Sequence, residues 1–88
     1  MLLIQIKIMP KAVETDLQEI KAKAKKVVES FNQKILKDEI QPIAFGLNAL
    51  LIILTWPDNQ GPDELEAKLR KIKNVNSAEI VDVRKAIG

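Results

Sequence analysis

Residues 41–56 have the sequence QPIAFGLNALLIILTW, and this stretch decides the fold of the chain. Pro42 and Gly46 interrupt the regular backbone on either side of Phe45, so we expect a tight joint at this point. The segment Asn48–Trp56 after the joint is apolar on both faces of an extended chain. Such a strand is typical of the middle of a sheet. The stretch therefore predicts a joint followed by a central strand.

The segment before the joint, Ile35–Ile43, carries Lys37, Asp38 and Glu39 in its middle. Charges and a proline are tolerated at the edge of a sheet far better than at its centre. We therefore predict an edge strand here. The other predicted elements, in chain order, are a strand at Leu3–Met9, a helix that opens at Thr15 and ends at Asn32-Gln33, a helix that starts at Pro62 with Asn74 as its C-terminal cap, and a strand at Val75–Arg84.

Two apolar periodicities predict the core. Apolar residues on one face of a strand recur every two residues, and those on one face of a helix recur every three or four residues. Thr15, with Gln18 three residues later, fits a capping box at the start of the first helix. We interpret the lysines opposite the apolar stripe of this helix as a solvated face rather than a binding patch. The predicted core comprises Ile4, Ile6, Ile8, Leu17, Ile20, Val27, Leu65, Leu69 and Ile72.

The predicted element order is β-α-β-β-α-β. With right-handed crossover connections, this order gives a four-stranded antiparallel sheet with both helices on one face. That is the ferredoxin-like α+β architecture, and we expect residues 1–88 to form a single domain. The first and third strands should be the central pair. Because this architecture supports many unrelated functions, the fold alone does not identify the activity.

The composition excludes several classes of function. The 88 residues contain no cysteine and no histidine, which removes thiolate and imidazole chemistry and the metal sites that depend on them. The 14 basic and 12 acidic residues leave a net charge of only +2, which argues against nucleic-acid binding as the main task. No catalytic pair or phosphate-binding glycine loop is present, so we expect no enzyme activity, cofactor or metal. A cytoplasmic setting, without signal peptide or membrane helix, fits the sequence.

What remains is a small set of candidate surface residues. Phe45 is either turned into the core or presented to a partner, and residue type alone favours the core. Lys85, by itself, is an ordinary solvated charge just beyond the final strand. Trp56 is expected to close the core beneath the loop that follows it. The acidic residues of that loop and of the next helix suit solubility and the helix dipole better than a metal site; they are Asp58, Asp63, Glu64 and Glu66.

Three motifs resemble the archaeal elongation factor 1-beta family and the exchange domain of its eukaryotic counterpart. The most specific is Pro42-Ile43-Ala44-Phe45-Gly46-Leu47, which is similar to the family's PIAFGL or PIGFGI joint. The second is the closing segment 75–85, with its terminal lysine, and the third is the sequence DELE at 63–66. Together the motifs make a resemblance that covers essentially the whole chain.

The resemblance implies a guanine nucleotide exchange factor for elongation factor 1-alpha that makes and breaks no bond itself. Such a factor promotes release of GDP so that GTP can load during translation elongation. By resemblance, Phe45 packs into the G domain of this partner, Pro42 and Gly46 are partner-binding residues beside it, and Lys85 enters the magnesium and phosphate site. Neither nucleic acid nor membrane is implied as a direct partner.

Two positions depart from the family pattern. Asn48 stands where members often carry lysine, which puts a charge contact from that side chain in question. Lys85 is followed by three residues instead of lying almost at the end of the chain. Residues 86–88 must therefore be flexible or fit beside the partner.

Two other kinds of function stay open at the level of sequence. An RNA-recognition module has the same element order, but it needs stacking aromatics on its two central strands, and the first strand here has none. A small-ligand-binding or self-assembling module of the same architecture would use the sheet face that no helix covers.

Overall fold

Four strands and two helices follow one another in the predicted order. The computed structural model describes residues 1–85, so the expectation for residues 86–88 lies outside the described residues. The elements are β1 (Leu2–Pro10), α1 (Leu17–Ser30), β2 (Ile35–Pro42), β3 (Asn48–Trp56), α2 (Asp63–Arg70) and β4 (Val75–Lys85). They form one antiparallel sheet in the order β2-β3-β1-β4. The ferredoxin-like prediction is confirmed, including the edge position of β2 and the central pair of β1 and β3.

The core lies between the sheet and the two helices. Alternate residues of β1 are fully buried, and their cross-strand partners on β3 are buried beside them. Side chains with at most 2% exposure include Ile4, Ile6, Ile8, Ile20, Ala24, Val28, Leu50, Ile52, Leu54, Trp56, Leu65 and Leu69. Leu17 and Val27, predicted as core, are only half-buried. They flank the helix stripe whose centre is Ile20, Ala24 and Val28, spaced four residues apart.

The start of α1 differs from the predicted capping box. Asp16, not Thr15, is the N-cap, and its carboxylate accepts a hydrogen bond of 2.9 Å from the backbone N–H of Gln18. The Thr15 N–H instead donates to the carbonyl of Ala12 in the preceding turn. A carboxylate is as good a cap as a hydroxyl and also suits the positive end of the helix dipole, which explains the shift by one residue.

An asparagine with positive φ follows each helix, in a backbone conformation that glycine adopts more often. Asn32 follows α1 with φ +62°, and the N–H groups of Asn32 and Gln33 donate to the carbonyls of Glu29 and Val28. This pairing is a Schellman motif, and it confirms the predicted end of the helix. Asn74, in contrast, is not the cap of α2. That cap is Lys71, and Asn74, with φ +70°, lies in the turn that leads into β4.

The remaining boundaries shift by a residue or two. Pro62 is the N-cap of α2 rather than its first helical residue. Lys85, expected just beyond the final strand, is the last described residue of β4 and pairs with Leu2. Within residues 1–85, no helix is both long enough and apolar enough to cross a membrane.

Candidate functional site

A tight turn joins β2 to β3 and carries Phe45. The Leu47 N–H donates to the carbonyl of Ala44 at 3.0 Å, and the Ile43 N–H donates to the carbonyl of Leu47 at 2.8 Å. Both central residues have left-handed backbone conformations, with φ +56° at Phe45 and +78° at Gly46. Two positive φ angles define the type I′ hairpin turn, whose twist matches that of the flanking strands. The irregular joint predicted from the sequence is therefore a type I′ turn over residues 44–47, with one further backbone hydrogen bond from Ile43 to Leu47 behind it.

Phe45 itself is presented to solvent. Its side chain is 97% exposed, so the interpretation as a core residue is wrong and the interpretation as an exposed residue is confirmed. The first central position of this turn type prefers asparagine, aspartate or glycine, because a Cβ crowds the backbone there. An aromatic residue at positive φ costs roughly 1–3 kcal/mol. Since the phenyl ring gains almost no burial in return, the sequence at this position is not optimised for folding.

Two more exposed apolar side chains lie in or next to this turn, and with Phe45 they form what we call the apolar tip: Val13, Ile43 and Phe45. Val13 is 59% exposed and Ile43 is 41% exposed. The Cγ1 atom of Val13 lies 3.7 Å from the position that a Cβ on Gly46 would occupy. Sequence reasoning missed Val13, which belongs to the β1–α1 loop. Its signal is a β-branched residue outside both core periodicities, in a loop whose other residues are Ala12 and polar side chains.

Pro42 and Asn48 form the base of the turn. They are the last paired residues of β2 and β3, and both are exposed. Pro42 has no N–H to donate, which is tolerated because β2 is an edge strand. Asn48 carries no charge into this surface, which leaves the tip apolar.

Lys85 lies at the other end of the sheet. It pairs with Leu2, which in turn pairs with Trp56 at the end of β3, and its side chain is exposed. Asp58, in the loop after β3, lies nearby. A hydrogen bond from the Met1 amino group lowers the pKa of the Asp58 carboxyl, and the Lys85 ammonium acts on that pKa in the same direction.

The structure therefore does not bring Phe45 and Lys85 together. The turn precedes the first residue of β3, whereas Lys85 lies level with the last residue of β3, on the far side of β1. The nine residues of β3 separate the turn from Lys85 along the strand direction, a distance of about 25–30 Å at the usual rise of a strand. The long dimension of the molecule, 38 Å, is consistent with this separation. The candidate site has two ends.

The aromatic residues do not form a nucleic-acid platform. Trp56 is fully buried, packs against Phe31 with ring centroids 5.3 Å apart, and donates from Nε1 to the carbonyl of Gln60 at 2.8 Å. This confirms that Trp56 closes the core beneath its loop. Phe45 is in the turn, so none of the chain's three aromatic side chains lies on the open sheet face. RNA-recognition modules need such stacking residues, which disfavours that alternative.

The carboxylates form no metal site within the part of the chain that the structure describes. Asp58 contacts the Met1 amino group, and Glu64 and Glu66 pair with Lys68 and Arg70 along α2.

A groove of about 370 Å³ lies between α1 and β2. It is lined by Lys21, Lys25, Glu29, Lys34, Ile35 and Asp38. Lys21 and Asp38 already pair with each other at 3.2 Å. Small-molecule sites are mostly apolar with a few convergent polar groups. This charged, open groove does not have that character.

Comparison with known proteins assigns the chain to a family. The model of the EF-1 guanine nucleotide exchange domain matches residues 3–86. The chain is 45% identical over 80 residues to elongation factor 1-beta of Methanoculleus marisnigri, covering 88% of this chain and 87% of that protein. It is 41% identical over 81 residues to elongation factor 1-beta of Methanosarcina barkeri, covering 90% of each.

Solved structures of similar shape confirm the fold alone. The C-terminal domain of the MgtC protein from Mycobacterium tuberculosis superposes with a TM-score of 0.70 at 13% identity, covering 90% of this chain and 84% of that one. The ACT domain from GTP pyrophosphokinase of Chlorobium tepidum superposes with a TM-score of 0.63 at 18% identity, covering 90% and 96%. At such identities shape carries no functional assignment. The family is shown by the match over residues 3–86 and by the archaeal relatives: the chain belongs to the EF-1 guanine nucleotide exchange domain family.

Proposed function

We propose that this chain is the guanine nucleotide exchange factor of elongation factor 1-alpha and works in the cytoplasm. Its membership of the exchange-domain family, over residues 3–86, carries the proposal. The factor binds the GDP-loaded GTPase, promotes release of GDP, and leaves when GTP loads. It makes no bond, so it acts only through the free energy of binding. By thermodynamic reciprocity, the chain lowers the affinity of the GTPase for nucleotide by the same ratio by which nucleotide lowers its affinity for the chain.

The exposed Lys85 supports a role at the nucleotide site of the partner. A magnesium ion neutralises and orients the phosphates of a bound nucleotide. A lysine ammonium is a compact point charge on a long stem, so it can contact the acidic groups that hold the ion. Lys85 then competes with magnesium for those groups, and the diphosphate loses part of its charge compensation.

The apolar tip supports a second contact on a different part of the partner. Because the tip and Lys85 are about 25–30 Å apart, they cannot enter one small pocket. Phe45 inserts into an apolar depression of the GTPase, with Val13, Ile43, Pro42 and Gly46 around it. This contact supplies affinity and fixes the orientation in which Lys85 meets the nucleotide site.

A labelled-GDP release assay with elongation factor 1-alpha tests the function directly. The GTPase is loaded with fluorescent GDP, and its release is followed after addition of excess unlabelled GTP, with and without this chain. We expect release to accelerate in proportion to chain concentration until it saturates. If the release rate is the same with and without the chain over a range of magnesium concentrations, the proposed function is wrong.

A further inference from the structure

The two faces of β2 carry different side chains, although both are exposed. On the open face of the sheet the strand presents charged and amide side chains, from Lys37, Glu39 and Gln41. On the helix side, close to the turn, it presents Ile40 and Pro42. Ile40 belongs to that side because its partner in β3 is the core residue Leu50. Within β2, the exposed apolar side chains next to the turn therefore lie on the helix side.

Ile40 has the position of a core residue but is not covered like one. It lies in one row across the sheet with Leu50 and Ile8, which are at most 1% exposed, whereas Ile40 is 48% exposed. Ile35, on the same side at the start of β2, packs against the core. Within the described chain, the helix layer thus covers the start of β2 and leaves Ile40 in contact with water.

Ile40 adjoins the apolar tip. It precedes Pro42, the last residue of β2, by two residues, which is about 7 Å at the usual rise of a strand. The turn with Ile43 and Phe45 follows directly. One exposed isoleucine needs no explanation, whereas several neighbouring exposed apolar side chains mark an interaction site. Ile40 and Pro42 therefore extend the tip along β2 on the helix side.

An ion pair borders this surface on the side away from the tip. Helix α1 runs along β2 away from the tip, since Val13, before the helix, lies beside Gly46, and Lys21, in its second turn, pairs with Asp38 at 3.2 Å. Asp38 is two residues from Ile40 on the same face of β2. An apolar centre with a polar rim is the usual composition of a protein interface.

Lys85, at the other end of the sheet, is on the helix side as well. Val83 is opposite the core residue Ile4, so it lies on the helix side, and Lys85, two residues further, lies there too. Arg84, between them, points to the open face, where it pairs with Asp82 at 2.8 Å. The extended tip and Lys85 are thus accessible from the same side of the sheet.

We propose that elongation factor 1-alpha contacts this chain from the helix side, and that Ile40, with Pro42, is part of the surface that binds it. The inference rests on the proposed function, because the surface is continuous with the tip and its occupant is the same GTPase. The partner places an apolar area against Ile40. The open face of β2 stays in contact with solvent in the complex.

Methyl signals of isoleucine in the labelled chain map the contacted face without any substitution. The chain is titrated with unlabelled, nucleotide-free elongation factor 1-alpha, and the isoleucine methyl signals are followed by nuclear magnetic resonance. We expect the Ile40 methyl signals to shift on binding, because the partner replaces the water around them. Ile53, half-buried on the open face opposite Gln5, is the internal reference and should keep its signals.

Two neighbouring lysine substitutions place the same charge on opposite faces of β2. Ile40→Lys should raise the dissociation constant for nucleotide-free elongation factor 1-alpha about tenfold or more, because an ammonium in an apolar contact loses its water. Gln41→Lys is the matched control and should leave the constant unchanged. Ile40→Ala adds no charge and should raise it roughly 3–10-fold, through lost apolar burial. Thermal melting of each free variant confirms that it is folded.

The outcomes separate this inference from the proposed function. The inference is wrong if folded Ile40→Lys and Ile40→Ala bind like the unmodified chain, if Gln41→Lys weakens binding equally, or if the Ile53 signals shift more than those of Ile40. It is also wrong if the free chain is a dimer that Ile40→Lys dissociates, since the surface then serves a second copy. If the expected binding pattern appears but the unmodified chain leaves GDP release unchanged, the docking surface stands and the exchange function fails.

Discussion

At the scale of single residues, Phe45 combines maximal exposure with an unfavourable backbone. The ring is 97% exposed at φ +56°, whereas Asn32 and Asn74, the other non-glycine residues at positive φ in the described chain, are of a type that tolerates it. Residues that contribute to binding are often suboptimal for stability, because selection keeps only enough stability to fold. Phe45 fits that description.

Replacing Phe45 by asparagine should separate stability from function. Phe45→Asn creates Asn-Gly, the preferred pair for a type I′ turn, so we expect the free energy of unfolding to rise by about 1 kcal/mol. Association with elongation factor 1-alpha should weaken at the same time, because the phenyl ring is lost. Chemical denaturation and titration calorimetry measure the two effects. A less stable variant that binds unchanged would mean that Phe45 serves the fold.

Lys85 should affect the rate of exchange more than the affinity. Lys85→Ala is expected to slow GDP release sharply while the complex still forms, with the largest defect at high magnesium, where the ion competes best. Lys85→Arg should recover only part of the rate, because a planar guanidinium does not replace a compact ammonium. Release rates across a magnesium series check this, and Arg84→Ala is the control. Equal rates for Lys85→Ala and the unmodified chain at every magnesium concentration would contradict it.

At the scale of elements, α2 depends on its packing. It has eight residues and no side-chain cap at its N-terminus, and a helix this short is marginal by itself. Leu65 and Leu69 are fully buried against the sheet, while Glu66 and Arg70 contact β4. The helix is thus held on its buried face by apolar contact and at its side by the edge strand.

Removing the apolar contact should destabilise the whole chain. Leu69→Ala is expected to lower the free energy of unfolding by roughly 2–5 kcal/mol, through lost burial and the cavity left behind. Lys71→Ala, two residues further along the chain and exposed, should change it by less than about 0.5 kcal/mol. Urea titrations of the two variants give the comparison. Similar midpoints for both would show that α2 is not part of the cooperative core.

At the scale of the whole molecule, the sheet holds the apolar tip and Lys85 far apart. The apolar tip and Lys85 are at opposite ends of a chain that is 38 Å long. A partner that engages both must present two surfaces at that separation, which limits the orientations in which the factor can bind.

The two ends should therefore contribute independently to affinity. Changes in binding free energy from Phe45→Ala and Lys85→Ala are expected to add within about 0.3–0.5 kcal/mol, as for distant sites without shared contacts. The measurement is a double-mutant cycle on the dissociation constant for nucleotide-free elongation factor 1-alpha. A coupling energy well above this range would show that the ends act on one region of the partner.

The sequence alone determined the architecture and part of the site. The apolar run Asn48–Trp56 predicted a central strand with its observed bounds, and the charges of β2 predicted an edge. These properties depend on local periodicity, which any segment displays without its neighbours. The same holds for the hairpin turn, because Pro42 and Gly46 mark it locally. The N-cap of α1 could not be predicted to the residue, because the adjacent Thr15 and Asp16 both suit that position.

The tertiary structure decided what depends on residues distant in sequence. Whether Phe45 is buried could not be predicted from its type, because exposure depends on which elements surround the turn. Val13 joins the apolar tip only because the β1–α1 loop lies beside Gly46. The face occupied by Lys85 depends on a β-bulge in β4, because Val81 has no partner in β1 between the pairs Gln5–Asp82 and Ile6–Ile80. The sequence of β4 does not mark the position of this β-bulge. Only the pairing of β4 with β1 reveals it.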